Sequence, residues 1–263
     1  MAGSLPNRIQ IKEGGDKLMW YMGSKNRISK ELAPIIQSYI TEDTRGYLEP
    51  FVGGANIIDK IKCNNKIGCD IHKQLIALLN KAKDNIDDIP DIISEETYKE
   101  VKNNKEKYED WYVGLVGFCA SFSAKYFNGY ARNSRNDNSG KVSEGAIRNL
   151  KKQAPLLKDI EFKCCNFLNL PKDKIKGYVI YCDIPYKGTT KYKTEPFPYE
   201  EFYIWANEMA KYNTVLVSEY NMPSNFKCIW EKDIKVNIDK NGNTTDENRK
   251  RTEKLFLCCI KND

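Results

Sequence analysis

Apolar positions along this chain fall into short runs whose spacing alternates between helical and extended. Ile28, Leu32, Ile35, Ile36 and Tyr39 line one face of a helical repeat, entered through Leu18-Met19-Trp20-Tyr21 and Gly23-Ser24-Lys25, with Ser24 as the expected N-cap. Tyr47-Leu48 then reads as a short strand running into Glu49-Pro50-Phe51-Val52-Gly53-Gly54. Ile57, Ile58 and Ile61 follow at helical spacing, giving strand, tight glycine turn and helix. A second strand over 66–69 ends in Asp70 and leads into a helix through Leu75, Leu78 and Leu79. Beyond residue 155 the alternation resumes, with strands expected over 160–167, 178–182, 214–217 and 255–260 and a helix over 199–211.

Between about residues 84 and 155 the character changes. Lys, Glu, Asn and Tyr dominate first, then aromatic and small residues such as Trp111, Tyr112, Phe118, Phe122, Tyr126, Phe127 and Tyr130. Residues 128–145 read as a polar loop carrying Arg132, Arg135 and Lys141. Strands and helices alternating on both sides of such a stretch predict an α/β fold: an open sheet interrupted by an insertion. The expected division is a flexible leader over 1–17, a sheet domain formed by 18–84 and 156–263, and a mostly helical inserted domain over 85–155.

Composition narrows the chemistry. With 263 residues, 41% hydrophobic and 11% aromatic, the chain can bury a core, which rules out disorder as its whole nature. It has no apolar run long enough for a membrane helix and no signal-like leader, so a soluble, cytoplasmic protein without membrane association is expected. A net charge of +6 permits a polyanionic partner without demanding one. Nine cysteines, odd in number and without a CxxC pair, predict reduced core thiols and no metal site. A single histidine, His72, excludes His-based triads.

Two strand ends carry the informative residues, and ligands of open α/β sheets sit outside the carboxyl ends of strands. The first is Glu49 to Gly54 with Asp70 on the neighbouring strand; its glycines let the backbone approach a ligand, and the acid can accept from ribose hydroxyls. The second is Asp183-Ile184-Pro185-Tyr186. Asp183 can accept from an exocyclic amine, Pro185 holds Ile184 out of the helical region, and Tyr186 is expected as an exposed ring on which a base can stack.

In this order the motifs resemble the Dam-type DNA adenine N6-methyltransferases, the D12 class of the alpha group, which use S-adenosylmethionine. The resemblance implies a Rossmann-like methyltransferase sheet with an inserted target-recognition domain. It implies that Trp20, Tyr21, Gly23 and Lys25 contact the methionine part of the cofactor and that Glu49, Pro50, Phe51, Gly53 and Gly54 form its loop. Asp70 takes the ribose-binding place, and Asn166-Phe167 the place where the family has Asp-Phe beside the cofactor adenine. Asp183-Ile184-Pro185-Tyr186 is a variant of the family's Asp-Pro-Pro-Tyr tetrad, in which Asp183 also lies at the cofactor; Arg251-Thr252-Glu253-Lys254-Leu255 resembles the segment leading into the last strand.

Two departures are Ile184 for proline, which keeps the backbone carbonyl the mechanism uses, and Asn166 for Asp, which keeps an uncharged acceptor. In the insertion, Phe127-Asn128-Gly129-Tyr130-Ala131-Arg132 resembles the start of the family's DNA-contacting hairpin. Asn128, Gly129, Tyr130, Arg132, Asn133, Arg135 and Lys141 are therefore the expected contacts to double-stranded DNA. The implied protein is a monomer or weak dimer that flips adenine from the duplex and methylates it directly. The rivals are an RNA-adenine or cytosine-N4 methyltransferase and a catalytically silent DNA-binding relative.

Overall fold

Every residue of the short first strand, β1 (Gly46–Glu49), is buried, which a strand achieves only inside a sheet covered on both faces. The computed structural model describes residues 25–134, 137, 139–187, 197–235 and 250–259. In it β1 pairs in parallel with β2 (Lys66–Asp70) on one side and β4 (Tyr178–Asp183) on the other. Outside these lie β3 (Ile160–Cys164) beside β2 and β5 (Thr214–Ser218) beside β4, both parallel. The sheet is completed by an antiparallel pair, β7 (Lys250–Cys258) against β5 and β6 (Phe226–Lys235) at the edge. The order β3-β2-β1-β4-β5-β7-β6 makes this a seven-stranded, Rossmann-like α/β sheet whose strand order reverses between β1 and β4.

Strand alternation sorts the core into two faces. Tyr47, Val179, Tyr181, Leu216 and Leu255 point into one cluster, with α1 (Ser29–Gln37) and α2 (Lys73–Asp84). Leu48, Ile180, Cys182, Val215, Val217 and Phe256 point into the other, where α6 (Tyr199–Ala210) contributes Phe202, Trp205 and Met209. Between α2 and β3 the insertion supplies α3 (Glu95–Asn103), α4 (Asp110–Cys119) and α5 (Lys141–Gln153). Its apolar residues join the α1–α2 face in one continuous core, and α4 is buried from Val113 through Cys119. Close approach of α4 to α2 depends on Gly114, where a Cβ would stand 2.2 Å from the carbonyl oxygen of Gln74.

Several elements differ from the pattern-based expectation. Ile57, Ile58 and Ile61 form only a 3-10 turn over Ile58–Lys60, because the chain must be extended again at Ile61 to reach β2. The first helix begins at Ser29 after a turn over Lys25–Arg27, with Ile28 rather than Ser24 in the cap position; Ser24 itself lies outside the described residues. The third strand stops at Cys164, and Phe167 opens a short 3-10 turn. The loop expected over 128–145 ends at Gly140, so Lys141 is the first residue of α5. The edge strand β6 was not expected, since its charged residues mask the alternation. Of nine free cysteines four are buried, while Cys164, Cys228 and Cys259 are exposed, so the thiols are not all core residues. Among the described residues no helix is long and apolar enough to cross a membrane.

Two glycine substitutions test this packing with opposite signs. Gly145→Ala, on the open side of α5 where a Cβ meets nothing closer than Arg148 Nη2 at 3.9 Å, is expected to stabilise. The gain is about 0.4–1 kcal/mol from the loss of unfolded-state freedom. Gly114→Ala is expected to destabilise by about 1–3 kcal/mol through overpacking against a backbone that cannot yield. Urea denaturation of both variants is the measurement; equal shifts would contradict the close α2–α4 contact.

Candidate active site

At the end of β1 the Glu49 carboxyl is buried and accepts from the Tyr47 hydroxyl at 2.7 Å; burial pushes its pKa well above the usual carboxylate range. The chain then turns sharply through buried Pro50 and Gly54, with Gly53 at φ +49° and Ala55 at φ +57°. Glycine takes this left-handed conformation freely, whereas Ala55 is strained in it. The turn is tied to the next strand: Val52 N–H donates to the Cys69 carbonyl at 2.8 Å, and Gly53 N–H donates to Asp70 Oδ2 at 3.2 Å. Asp70 Oδ1 accepts from His72 N–H at 2.9 Å, and burial raises the acid's pKa despite these backbone donors. His72 packs edge-on against Phe118 and Tyr126, at 5.0 and 4.5 Å between ring centres, and burial lowers its pKa.

Apolar surface flanks the acid. Phe51 contacts Phe167, Phe197 and Phe202 at ring-centre distances of 5.3, 5.7 and 5.9 Å. Asn166 caps the turn that presents Phe167, accepting from Leu168 N–H at 3.0 Å. Ile71, next to Asp70, is 71% exposed, an unusual state for a β-branched apolar residue at a strand end.

Beside this shelf, across the reversal in strand order, Asp183 ends β4. Lys25 Nζ lies 3.0 Å from Asp183 Oδ1, 3.3 Å from Glu253 Oε2 and 4.2 Å from the centre of the Tyr186 ring, and it also hydrogen-bonds the Tyr186 hydroxyl. Tyr186 in turn donates to Glu253 Oε2 at 2.5 Å and meets Tyr220 edge-on at 4.4 Å. Tyr186 is therefore half-buried and engaged, not the exposed ring expected from its strand-end position. Glu219, following β5, is buried and accepts from Lys187 N–H at 2.6 Å. Pro185 is exposed and its carbonyl accepts from the Tyr199 hydroxyl at 2.7 Å, while the Ile184 side chain is buried.

The electrostatics follow from this crowding. Burial would lower the Lys25 pKa, but the Asp183 and Glu253 carboxylates outweigh it and the net shift is upward. Asp183 moves above the usual carboxylate range, mainly through desolvation and further through Glu253 and Glu219, while Lys25 opposes the rise. Its side chain still keeps 24% of its surface exposed, so a ligand can reach it. Burial also pushes the Tyr186 hydroxyl up, keeping it a neutral donor to Glu253. Asp183 is thus coupled electrostatically to Glu49, Glu219 and Glu253, a gathering of acids whose chemistry suits cationic and amine-bearing ligands.

The residues expected to meet DNA lie on the insertion. Ser121 and Tyr130 form an antiparallel bridge, and Phe122 N–H donates to the Gly129 carbonyl at 2.8 Å, so Asn128 and Gly129 (φ +98°) sit at a hairpin-like bend. Tyr130 donates to the Ile93 carbonyl at 2.8 Å, and Arg132 pairs with Glu95 with its guanidinium 5.5 Å from the Tyr130 ring centre. Both therefore also serve the fold. Asn128, Asn133 and Lys141 are exposed. Trp20, Tyr21, Gly23 and Arg135 lie outside the described residues.

Comparison with known proteins then bears on the first strand end. Residues 21–113 match the family model of D12 class N6 adenine-specific DNA methyltransferases. That span contains Lys25, the Glu49–Gly54 turn and Asp70, and ends within α4, before β4 and Asp183. Among solved structures, SMU.472, a candidate methyltransferase complexed with SAH, is 11% identical over 91% of this chain and 55% of its own, with a TM-score of 0.36. A candidate methyltransferase from Thermoplasma acidophilum is 9% identical over 45% of this chain and 54% of its own, with a TM-score of 0.24. The chain spans about half the length of these two structures. No curated protein matches.

Glu253, Glu219 and Ile71 stand at these strand ends although the sequence reading gave none of them a site role. Glu253 had a usable signal: on β7 it shares the inward face with Leu255, and a carboxylate at an inward strand position needs a partner. The Lys25–Asp183 pair gives a direct test. Removing the cation in Lys25→Met removes the one contribution that pulls Asp183 down, so the Asp183 carboxyl is expected to titrate at higher pH than in the parent protein. Carbon-13 NMR titration of the carboxyl checks it, and an unchanged or lower midpoint would contradict the pairing.

Proposed function

We propose that this chain is an S-adenosylmethionine-dependent DNA adenine N6-methyltransferase. The observation that carries the reading is the juxtaposition, at the β1–β4 reversal, of the Glu49–Asp70 shelf with Asp183-Ile184-Pro185-Tyr186. The family match over residues 21–113 supports it.

The residues fit the cofactor. Asp70 keeps lone-pair capacity beyond its backbone bonds and suits a ribose diol; Ile71 and the Phe51–Phe167 pair offer apolar surface to an adenine. The surplus of carboxylates around Asp183 suits a sulfonium and an ammonium. When bound, S-adenosylmethionine supplies a methyl group activated on sulfur. The chain's own part is to hold the target amine. Asp183 and the Ile184 carbonyl accept from the two N6 hydrogens, which keeps the nitrogen lone pair out of the ring and directed at the methyl. Tyr186 provides a stacking face, worth about 1–3 kcal/mol against the few kcal/mol of flipping adenine from the duplex.

Lys25 now lies over that face and on that carboxylate. It opposes the upward shift of the Asp183 carboxyl, and it has to yield its place when a base enters. The insertion over residues 85–155 is assigned to DNA recognition and the sheet, 18–84 with 156–263, to catalysis. The exposed Asn128, Asn133 and Lys141 belong to the proposed DNA-facing surface.

The test is long-read mapping of N6-methyladenine in DNA from a methylation-free host expressing the protein, with Asp183→Ala beside it. A short motif methylated by the parent and unmarked with the variant is the expected result. No mark from soluble, folded parent protein would overturn the reading in favour of an RNA substrate or a silent DNA-binding relative. The same enzyme should lose activity on the acid side above the usual carboxylate range, because the reaction needs the Asp183 carboxylate and burial raises its pKa. The pH profile of kcat at saturating substrates checks this.

A further inference from the structure

We infer that Gln153, the last residue of α5, is a positioning residue that holds the turn after β1 in its ligand-binding shape. The inference rests on the reading of that turn and Asp70 as the S-adenosylmethionine shelf. Gln153 is fully buried, and the two N–H groups of its Nε2 are shared among the Gly54 carbonyl, the Ala55 carbonyl and Asp59 Oδ2, each at 3.1 Å. Asp59 is itself paired with Lys60 at 2.9 Å, and Lys60 Nζ donates to the Asn56 carbonyl at 2.7 Å. Three successive carbonyls of the turn, at Gly54, Ala55 and Asn56, thus face donors joined in one network through Asp59. A buried carbonyl without a donor is costly, so this network selects the conformation in which all three are satisfied.

That conformation needs selecting. Ala55 stands at φ +57°, where an L-residue with a Cβ is strained and persists only if its surroundings dictate it. Gly53, two residues earlier, donates its N–H to Asp70, so relaxation of Ala55 would also move the donor that orients the proposed ribose-binding acid. The side chain that prevents this comes from the insertion. At the other end of α5, about 20 Å away for thirteen residues, Lys141 follows the loop proposed to face DNA. One rigid helix therefore connects the proposed recognition loop to the proposed cofactor turn, with Gln153 as its contact.

The experiment measures S-adenosylhomocysteine binding by calorimetry for the parent, Gln153→Leu and Gln153→Leu/Ala55→Gly, each shown folded by circular dichroism at the working temperature. Leucine fills the volume without a donor, and glycine adopts the left-handed conformation unaided. Gln153→Leu is expected to bind about tenfold more weakly, the scale of a lost buried hydrogen bond. Its KM for S-adenosylmethionine should rise in step while kcat at saturation changes little. Ala55→Gly should restore much of the affinity, which a merely destabilised protein would not show. If Gln153→Leu does not fold, Gln153→Asn, which withdraws the amide by one methylene, is the variant to measure. A folded Gln153 variant that binds as the parent does, or a loss that Ala55→Gly leaves untouched, overturns the inference. A parent that binds no S-adenosylhomocysteine instead overturns the reading of the shelf on which the inference stands.

Discussion

Parallel pairing of β1 with β4 places two strand ends side by side that are far apart along the chain, and the chemistry of this molecule gathers there. The strand order reverses at that pair, and outside the carboxyl ends of strands at such a reversal is where open α/β sheets bind ligands. Glu49 and Asp70 reach this place from one side of the reversal, Asp183 and Tyr186 from the other. Both core faces exist to keep these strands in register: tyrosines and leucines toward α1, α2 and the insertion, smaller aliphatics toward the aromatic face of α6.

At these strand ends the governing quantity is charge. Several carboxylates are brought together with little water, a situation that ordinarily drives protons onto them. Lys25 offsets this for Asp183 while also pairing with Glu253, and Tyr186 is bound to Glu253 through its hydroxyl and to Lys25 through its hydroxyl and its ring. The cluster is thus a mutually bonded arrangement, with an ammonium standing where the proposed chemistry places an adenine amine. A neutral base that replaced it would meet a carboxyl, an aromatic face already oriented and a hydroxyl already fixed.

Much of this was legible in the chain. The helix over α6, the strands β1, β2, β4 and β5 and the interruption by helical sequence follow from periodicity, since each buries a single stripe or a continuous apolar run. Glu49 to Gly54, Asp70 and Asp183 to Tyr186 stood out because turn glycines, acids and proline at strand ends are local features. Glu219 and Ile71 were not legible: each looks ordinary in its own segment, and only its neighbours from other strands give it a partner or leave it bare. The same holds for β6, whose edge position tolerates charges that hide its alternation, and for the isoleucines after the glycine turn, whose helical spacing lost to the need to enter β2 extended. Tyr130 and Arg132, read as surface contacts, turned out to hold the insertion together as well, since a loop residue's hydrogen-bond partners come from elsewhere in the fold.

The sequence by itself determined the alternation of elements, the class of sheet and the residue types at two strand ends, because backbone propensity and side-chain periodicity act over a few residues. What the tertiary structure decided was which of those ends meet, which carboxylates share Lys25, and that the final side chain of α5 holds the strained turn beyond β1. Those outcomes depend on contacts between segments distant in the chain, where distance and desolvation, not local pattern, set the energy.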